Sequence, residues 1–528
     1  MMNNSNNEFD KTESTLFGAS EQNSASAQKK PDLIKKQRRA IVILALAIAA
    51  AILVYAFVVM PIINAADETP EEQVELLDGE VLGAGNRIML FEHFERDDIG
   101  KIEISNEYGE YGFYFDETDG AFYIIDHPDA PYDSTLFASL VVSTGYTLSN
   151  ERINTDCEDM SEYGLADAQS PASFTLTSRG GEVHTVYIGD MTPSGSGYYA
   201  RYEGRNAVYI LASSIGDTVL VPFETHISPM LALPMAQNDY FMIEKFTLMR
   251  GKDVALQVTY LDEAEQAAAA SISAYKMLAP ADYAVNTTNY VTALESLMEL
   301  KGTSTLVYAP SDEDLIEYGL AEAPFSIHYN YQGIDQSVIF SEKNENGNYY
   351  AYSLLFDLIA EVDGSKLAWL EWETIKWVDQ PIFMMNINDI KRITLESDSA
   401  VRVFELDGVD SGLTVAERET GLTPDVSNFR KFYRVLLMVY LQNYVSEDLD
   451  AESVLALENK DNLYLTLKIE TRAGKVTEFK FYPYSTRRAY YTVNGEGEFY
   501  VLRDMVTKVI SDAEKVMSGE TVDPDAHS

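Results

Sequence analysis

The chain has 528 residues, of which 46% are hydrophobic and 11% aromatic; that is too much core-forming material for a disordered polypeptide and enough for several domains. Its formal net charge is −45, and because residues 1–39 carry seven basic and five acidic side chains, everything beyond them carries −47, which repels nucleic acid and anionic headgroups. Cys157 is the only cysteine, which excludes an intrachain disulfide and a cysteine-rich zinc cage.

Residues 1–39 are rich in Asn, Ser, Gln and Glu and read as a disordered cytoplasmic tail ending in a basic stop, Lys35, Lys36, Arg38 and Arg39. Residues 40–63 contain no charge, and a helix of about 20 apolar residues spans a hydrocarbon core, so this segment is expected to cross the membrane. Asp67, Glu68, Glu71, Glu72, Glu75 and Asp78 follow it. The positive-inside rule then places the N-terminus in the cytoplasm and the body outside the cell membrane, in a single pass. A cleaved signal peptide would have a shorter apolar region and a better site than Ile63-Asn64-Ala65, so an uncleaved anchor is expected. Residues 64–94 read as an acidic linker.

Beyond the linker the sequence repeats. Ile99-Gly-Lys-Ile102-Glu-Ile104 returns as Ile243-Glu-Lys-Phe246-Thr-Leu248 and as Ile390-Lys-Arg-Ile393-Thr-Leu395. Apolar alternation continues through Tyr111–Phe115 and Ala121–Ile125, with Asp119-Gly120 as a hairpin turn. A capped helix start follows in each copy, at Asp133, Asn286 and Asp425, and the third helix is expected over Phe429–Tyr444. Three units result, at 95–238, 239–386 and 387–517, with a disordered tail at 518–528. The fold class is α+β: a single transmembrane helix, then three repeated units of antiparallel sheet, each with a packed helix.

Two motifs mark the later part of each unit. Tyr163-Gly164-Leu165 recurs as Tyr318-Gly319-Leu320, where glycine can take the left-handed conformation that closes a helix; the third unit has Leu455-Ala456-Leu457-Glu458 instead. A tyrosine pair then lies on a strand, Tyr198-Tyr199, Tyr349-Tyr350 and Tyr490-Tyr491, placed 17, 16 and 16 residues after the turn glycines Gly181, Gly333 and Gly474. One ring of each pair is expected inward and one outward. Both motifs read as structural.

These residues, with Tyr187-Ile188-Gly189 and the run Gly197–Leu211, resemble domain-of-unknown-function family 4340. The resemblance runs over 95–235, 240–378 and 387–517, the last without Tyr-Gly-Leu. It implies a bacterial protein anchored by one N-terminal helix, with an accessory role beside ABC-type transport systems, including those related to gliding-motility components. It brings no catalytic residue.

The residues themselves offer no catalytic signature. The six histidines, His93, His127, His184, His226, His328 and His527, form no close ligand pair, and Cys157 stands in no motif. Asp116–Gly120 and Asn344–Asn348 lack the spacing of a calcium loop and read as polar turns. The expectation is a non-enzymatic protein without cofactor or metal, acting as an accessory or scaffold with protein partners in a membrane complex. The alternative is a module that binds a cell-envelope polymer or ligand.

Overall fold

In the computed structural model, which describes residues 74–236 and 238–526, the apolar alternation becomes three eight-stranded antiparallel sheets. The expected anchor at 40–63 lies outside the described residues. Among those described, no helix is long and apolar enough to cross a membrane. The described residues divide into two compact units, those up to Glu92 with Leu148–Arg152, and His93–Thr147 with those from Ile153 onward.

The smaller unit holds a short hairpin, β1 (Val81–Leu82) and β2 (Ile88–Met89), in the stretch expected to be plain linker. Glu80 is buried there and paired with Arg152, which offsets its desolvation. Met89 bridges Leu148, and Ser149 Oγ donates to the Ile88 carbonyl.

The first sheet comprises β3 (Ile99–Asn106), β4 (Gly109–Asp116), β5 (Ala121–Ile124), β6 (Ser149–Asn154), β7 (Ala172–Ser178), β8 (Val183–Met191), β9 (Gly197–Tyr202) and β10 (Val208–Ala212). The second comprises β11 (Lys245–Arg250), β12 (Asp253–Tyr260), β13 (Tyr275–Ala279), β14 (Ser304–Tyr308), β15 (Phe325–Tyr331), β16 (Ile334–Lys343), β17 (Tyr349–Ser353) and β18 (Leu358–Val362). The third comprises β19 (Ile390–Ser397), β20 (Val401–Asp407), β21 (Thr414–Glu417), β22 (Leu441–Tyr444), β23 (Leu465–Thr471), β24 (Val476–Pro483), β25 (Arg488–Val493) and β26 (Phe499–Leu502). All three have one order: β5-β4-β3-β7-β8-β9-β10-β6, β13-β12-β11-β15-β16-β17-β18-β14 and β21-β20-β19-β23-β24-β25-β26-β22. The first three strands form a meander, a helix then crosses the sheet, and the fourth strand forms the far edge.

The crossing helices are α1 (Ser134–Gly145), α2 (Thr287–Ser296) and α3 (Val426–Leu437). Asp133, Asn286 and Asp425 each accept backbone N–H groups of the first turn, which stabilises a helix start by about 1 kcal/mol. Each helix sets an aromatic against the sheet, Phe137 on Phe113 at 4.8 Å, Tyr290 on Phe246 at 6.1 Å and Phe429 on Phe404 at 5.2 Å. The third helix is shorter than the sequence pattern suggested. It ends at Leu437, because Val439 and Leu441 are drawn into backbone hydrogen bonds with Ile382 and Gln380, and Leu441–Tyr444 pairs with β26.

The segment entering each later sheet docks in the same way. Leu231 N donates to Leu300 O at 3.0 Å and Ile382 N to Val439 O at 3.0 Å; Met230 bridges Lys301, and Pro381 bridges Tyr440.

The expected tail at 518–528 is ordered as far as it is described. A fourth helix, α4 (Arg503–Ser518), closes at Gly519 in the left-handed conformation. Residues beyond it are held by Asn428, which accepts from Val522 N at 2.8 Å and donates to Glu520 O at 2.8 Å. Val522 is buried, and Lys508 Nζ donates to Asp523 O at 2.7 Å.

Candidate functional site

Tyr-Gly-Leu and the tyrosine pair meet in space. Gly164 (φ 69°) closes a short 3-10 turn, Ser161–Tyr163, and Gly319 (φ 68°) follows the helix Asp312–Glu317; both need glycine's freedom at positive φ. Leu165 and Leu320 are then buried. Tyr163 packs edge-on against Tyr199 at 4.9 Å, and Tyr318 against Tyr350 at 5.0 Å. Side chains alternate along a strand, so these contacts lie on the face opposite Ala200 and Ala351, which are in the core.

A β-bulge makes room for this turn. Ile188 pairs with Ala200 and Met191 with Tyr198, three steps on β8 against two on β9; Phe340–Ala351 and Lys343–Tyr349 repeat the offset in the second sheet. The bulge and the turn fit closely: a Cβ on Gly189 would lie 2.1 Å from the Tyr163 carbonyl oxygen. In the second copy Ser341 occupies the bulge, and its Oγ accepts from Tyr350 N at 3.0 Å.

The third copy has lost turn and bulge together. Phe481–Tyr491, Tyr482–Tyr490 and Pro483–Ala489 pair in step. The structural counterpart of Tyr198-Tyr199 and Tyr349-Tyr350 is therefore Ala489-Tyr490, one position earlier than spacing from the turn glycine suggested. Tyr491 stands where Ala200 and Ala351 stand. The inward–outward alternation changes accordingly: Tyr198 and Tyr199 are both half-buried, Tyr349 is buried with Tyr350 half-buried, and Tyr490 and Tyr491 are both buried. Tyr490 is covered by a small outer core with Tyr482, Leu457 and Leu463, and its hydroxyl donates to Glu458 at 2.9 Å.

The other chemistry-bearing residues have structural partners. His184 contacts the Tyr202 hydroxyl at 3.0 Å, His226 the Thr218 carbonyl at 3.0 Å, and His328 the hydroxyls of Ser326 and Ser337 at 2.9 Å each. Burial pushes all three imidazoles below their ordinary range. Cys157 is buried beside Leu165 and Val208 with its Sγ 3.2 Å from Asp159 O. Asp116 and Asn344 accept backbone N–H groups of their own turns. Among the described residues no group of three or more His, Cys, Asp or Glu side chains could hold a metal ion.

Glu498 is half-buried, and its carboxyl stands out. Its Oε1 has no hydrogen-bond partner among the described residues, and burial, with Glu373 nearby, pushes it above the 4.5 of a free glutamate; Thr374 partly offsets this. Below 4.5 it is protonated in folded and unfolded chains alike. As pH rises past that value the unfolded chain ionises first, so stability falls until the folded carboxyl also ionises. Glu498→Gln is expected to be more stable than the parent at pH 7 and to converge with it below pH 4.5. Urea midpoints across that range check this, and a constant difference would contradict it.

Sequence reasoning missed one cluster. Lys276 and Lys475 share Asp282, whose Oδ2 lies 3.3 Å and 3.6 Å from the two Nζ atoms and 3.4 Å from Asn494 Nδ2. Burial and the adjacent Lys276 hold the Lys475 ammonium below its ordinary range, partly offset by Asp282. The only signal in the sequence is that lysines are scarce in so acidic a body, and no spacing motif joins these three residues.

The geometry defines a repeat protein, with one sheet topology used three times, a helix on one face and a turn-and-tyrosine contact on the other in two of the copies. The sequence model of a family described as a domain of unknown function (DUF4340) matches residues 124–322 and 276–458, which together span more than half of the chain. The chain belongs to this family. The two matches begin on the third strand of a sheet, at β5 and β13, and end just after Tyr318-Gly319-Leu320 and just after Leu457, so they follow the structural period. No curated protein and no solved structure matches the chain.

Proposed function

We propose that this protein is a membrane-anchored, extracytoplasmic, non-catalytic accessory or scaffold subunit of an ABC-type transport complex. It crosses the cell membrane once through residues 40–63, with its N-terminus in the cytoplasm. The charge step around that segment, basic before and strongly acidic after, supports the topology. The threefold use of one sheet topology carries the scaffold reading. Its repeated motif residues are engaged in packing, Tyr163 on Tyr199 and Tyr318 on Tyr350, and the repetition multiplies surface for partners.

Affinity purification of the tagged full-length protein from its native membrane, followed by mass spectrometry, tests this. Permease and ATPase subunits are expected among the recovered proteins; recovery of the chain alone under every detergent tried would refute the reading. The second reading, an envelope polymer- or ligand-binding module, is favoured by the cavity beside Lys276 and Lys475.

A further inference from the structure

Where the second and third sheets meet there is a cavity of about 260 Å³. Ile382, Phe383 and Phe479 give it an apolar wall, and Lys276, Asp282 and Lys475 line it as a polar group. Two ammonium groups there share one carboxylate. Asp379 also lines the cavity, but its Oδ1 accepts from Gln380 N at 3.0 Å, and among the described residues it pairs with neither lysine. In a body of net charge −47, two lysines turned to one cavity and sharing one carboxylate leave a cation only partly neutralised, and an ammonium partly withdrawn from bulk water attracts a carboxylate more strongly than a fully solvated one. Tyr275, another lining residue, keeps a buried hydroxyl that has no hydrogen-bond partner among the described residues.

We propose that this cavity binds a small organic anion, an apolar molecule bearing one carboxylate. The carboxylate bridges Lys276 and Lys475, and the apolar part lies against Ile382, Phe383 and Phe479. An apolar wall with a few convergent polar groups is the usual make-up of a ligand site. The site uses residues from two consecutive sheets, so a single repeat would not possess it. The inference holds whether or not the chain works beside a transporter.

The test uses full-length protein in lipid nanodiscs, with phenylacetate as the probe and phenylacetamide as its uncharged counterpart. Calorimetry is expected to show one phenylacetate bound per chain and no binding of the amide. Lys475→Met, which keeps the aliphatic stem and removes the charge, is expected to weaken phenylacetate binding by about tenfold or more, as loss of a charge-assisted hydrogen bond does. In the unaltered protein, reductive methylation of Lys475, read by mass spectrometry, is expected to slow when phenylacetate is present. That measurement decides the matter should the variant fail to fold. The proposal is overturned if phenylacetate does not bind, if the amide binds equally well, if a folded Lys475→Met variant binds unchanged, or if methylation of Lys475 is indifferent to phenylacetate. In each of those cases the lysines and Asp282 serve only to clamp the two sheets.

Discussion

Tyr491→Ala is expected to destabilise the protein by about 3–5 kcal/mol, the range for deleting a large buried aromatic ring. The ring is almost fully buried, 6.2 Å from Phe481 and 6.4 Å from Tyr283. Alanine is what the other two copies carry at this position, as Ala200 and Ala351, so the substitution looks conservative from the repeat. It is not, because the third copy's core is built around the ring and would be left with a cavity. Tyr491→Phe should behave in the opposite way. The hydroxyl is buried without a hydrogen-bond partner among the described residues, and removing it is expected to be neutral or to stabilise by about 1 kcal/mol. Urea denaturation of both variants checks the pair. A Tyr491→Phe loss as large as that of Tyr491→Ala would mean that the hydroxyl has a stabilising partner and that the packing account is wrong.

Gly189→Ala is expected to cost about 2–3 kcal/mol, towards the upper end of what one added methyl does in a packed site. The new Cβ would meet the Tyr163 carbonyl oxygen at 2.1 Å and Leu165 Cγ at 2.9 Å. A carbonyl fixed in a turn cannot rotate away as a side chain can, so the turn must lift from the bulge and Tyr163 must move off Tyr199. Gly474→Ala is the control. It sits at φ +86° with nothing within 4 Å, so only the left-handed backbone opposes a side chain, at about 1–2 kcal/mol. Hydrogen exchange distinguishes the two mechanisms. Gly189→Ala should speed exchange of the Tyr163 and Leu165 amides, which bond to the Met160 carbonyl, whereas Gly474→Ala should leave them unchanged. Unchanged exchange and an unchanged midpoint for Gly189→Ala would show that the turn is not seated on the bulge.

Much of this fold was legible in the sequence because its signals are local. A two-residue apolar period reports a strand with one face covered, as in Ile99–Asn106 and Ile390–Ser397. Asp133, Asn286 and Asp425 announce helices because a side-chain oxygen meets a free N–H within three residues. Repetition of these signals marks three related units, and composition around residues 40–63 carries the topology expected of the chain.

What only the tertiary structure decided depends on register and on pairs distant in the chain. The fourth strand of each sheet lies at the far edge, which no local pattern encodes. A missing bulge residue moves Tyr490, not Tyr491, into the place of Tyr199 and Tyr350, because one residue of register turns a side chain to the other face. Docking of the C-terminal tail depends on Asn428, nearly a hundred residues earlier, reaching Glu520 and Val522. Lys276, Asp282 and Lys475 come together only because the second and third sheets meet; charge and spacing along the chain carry no record of that contact.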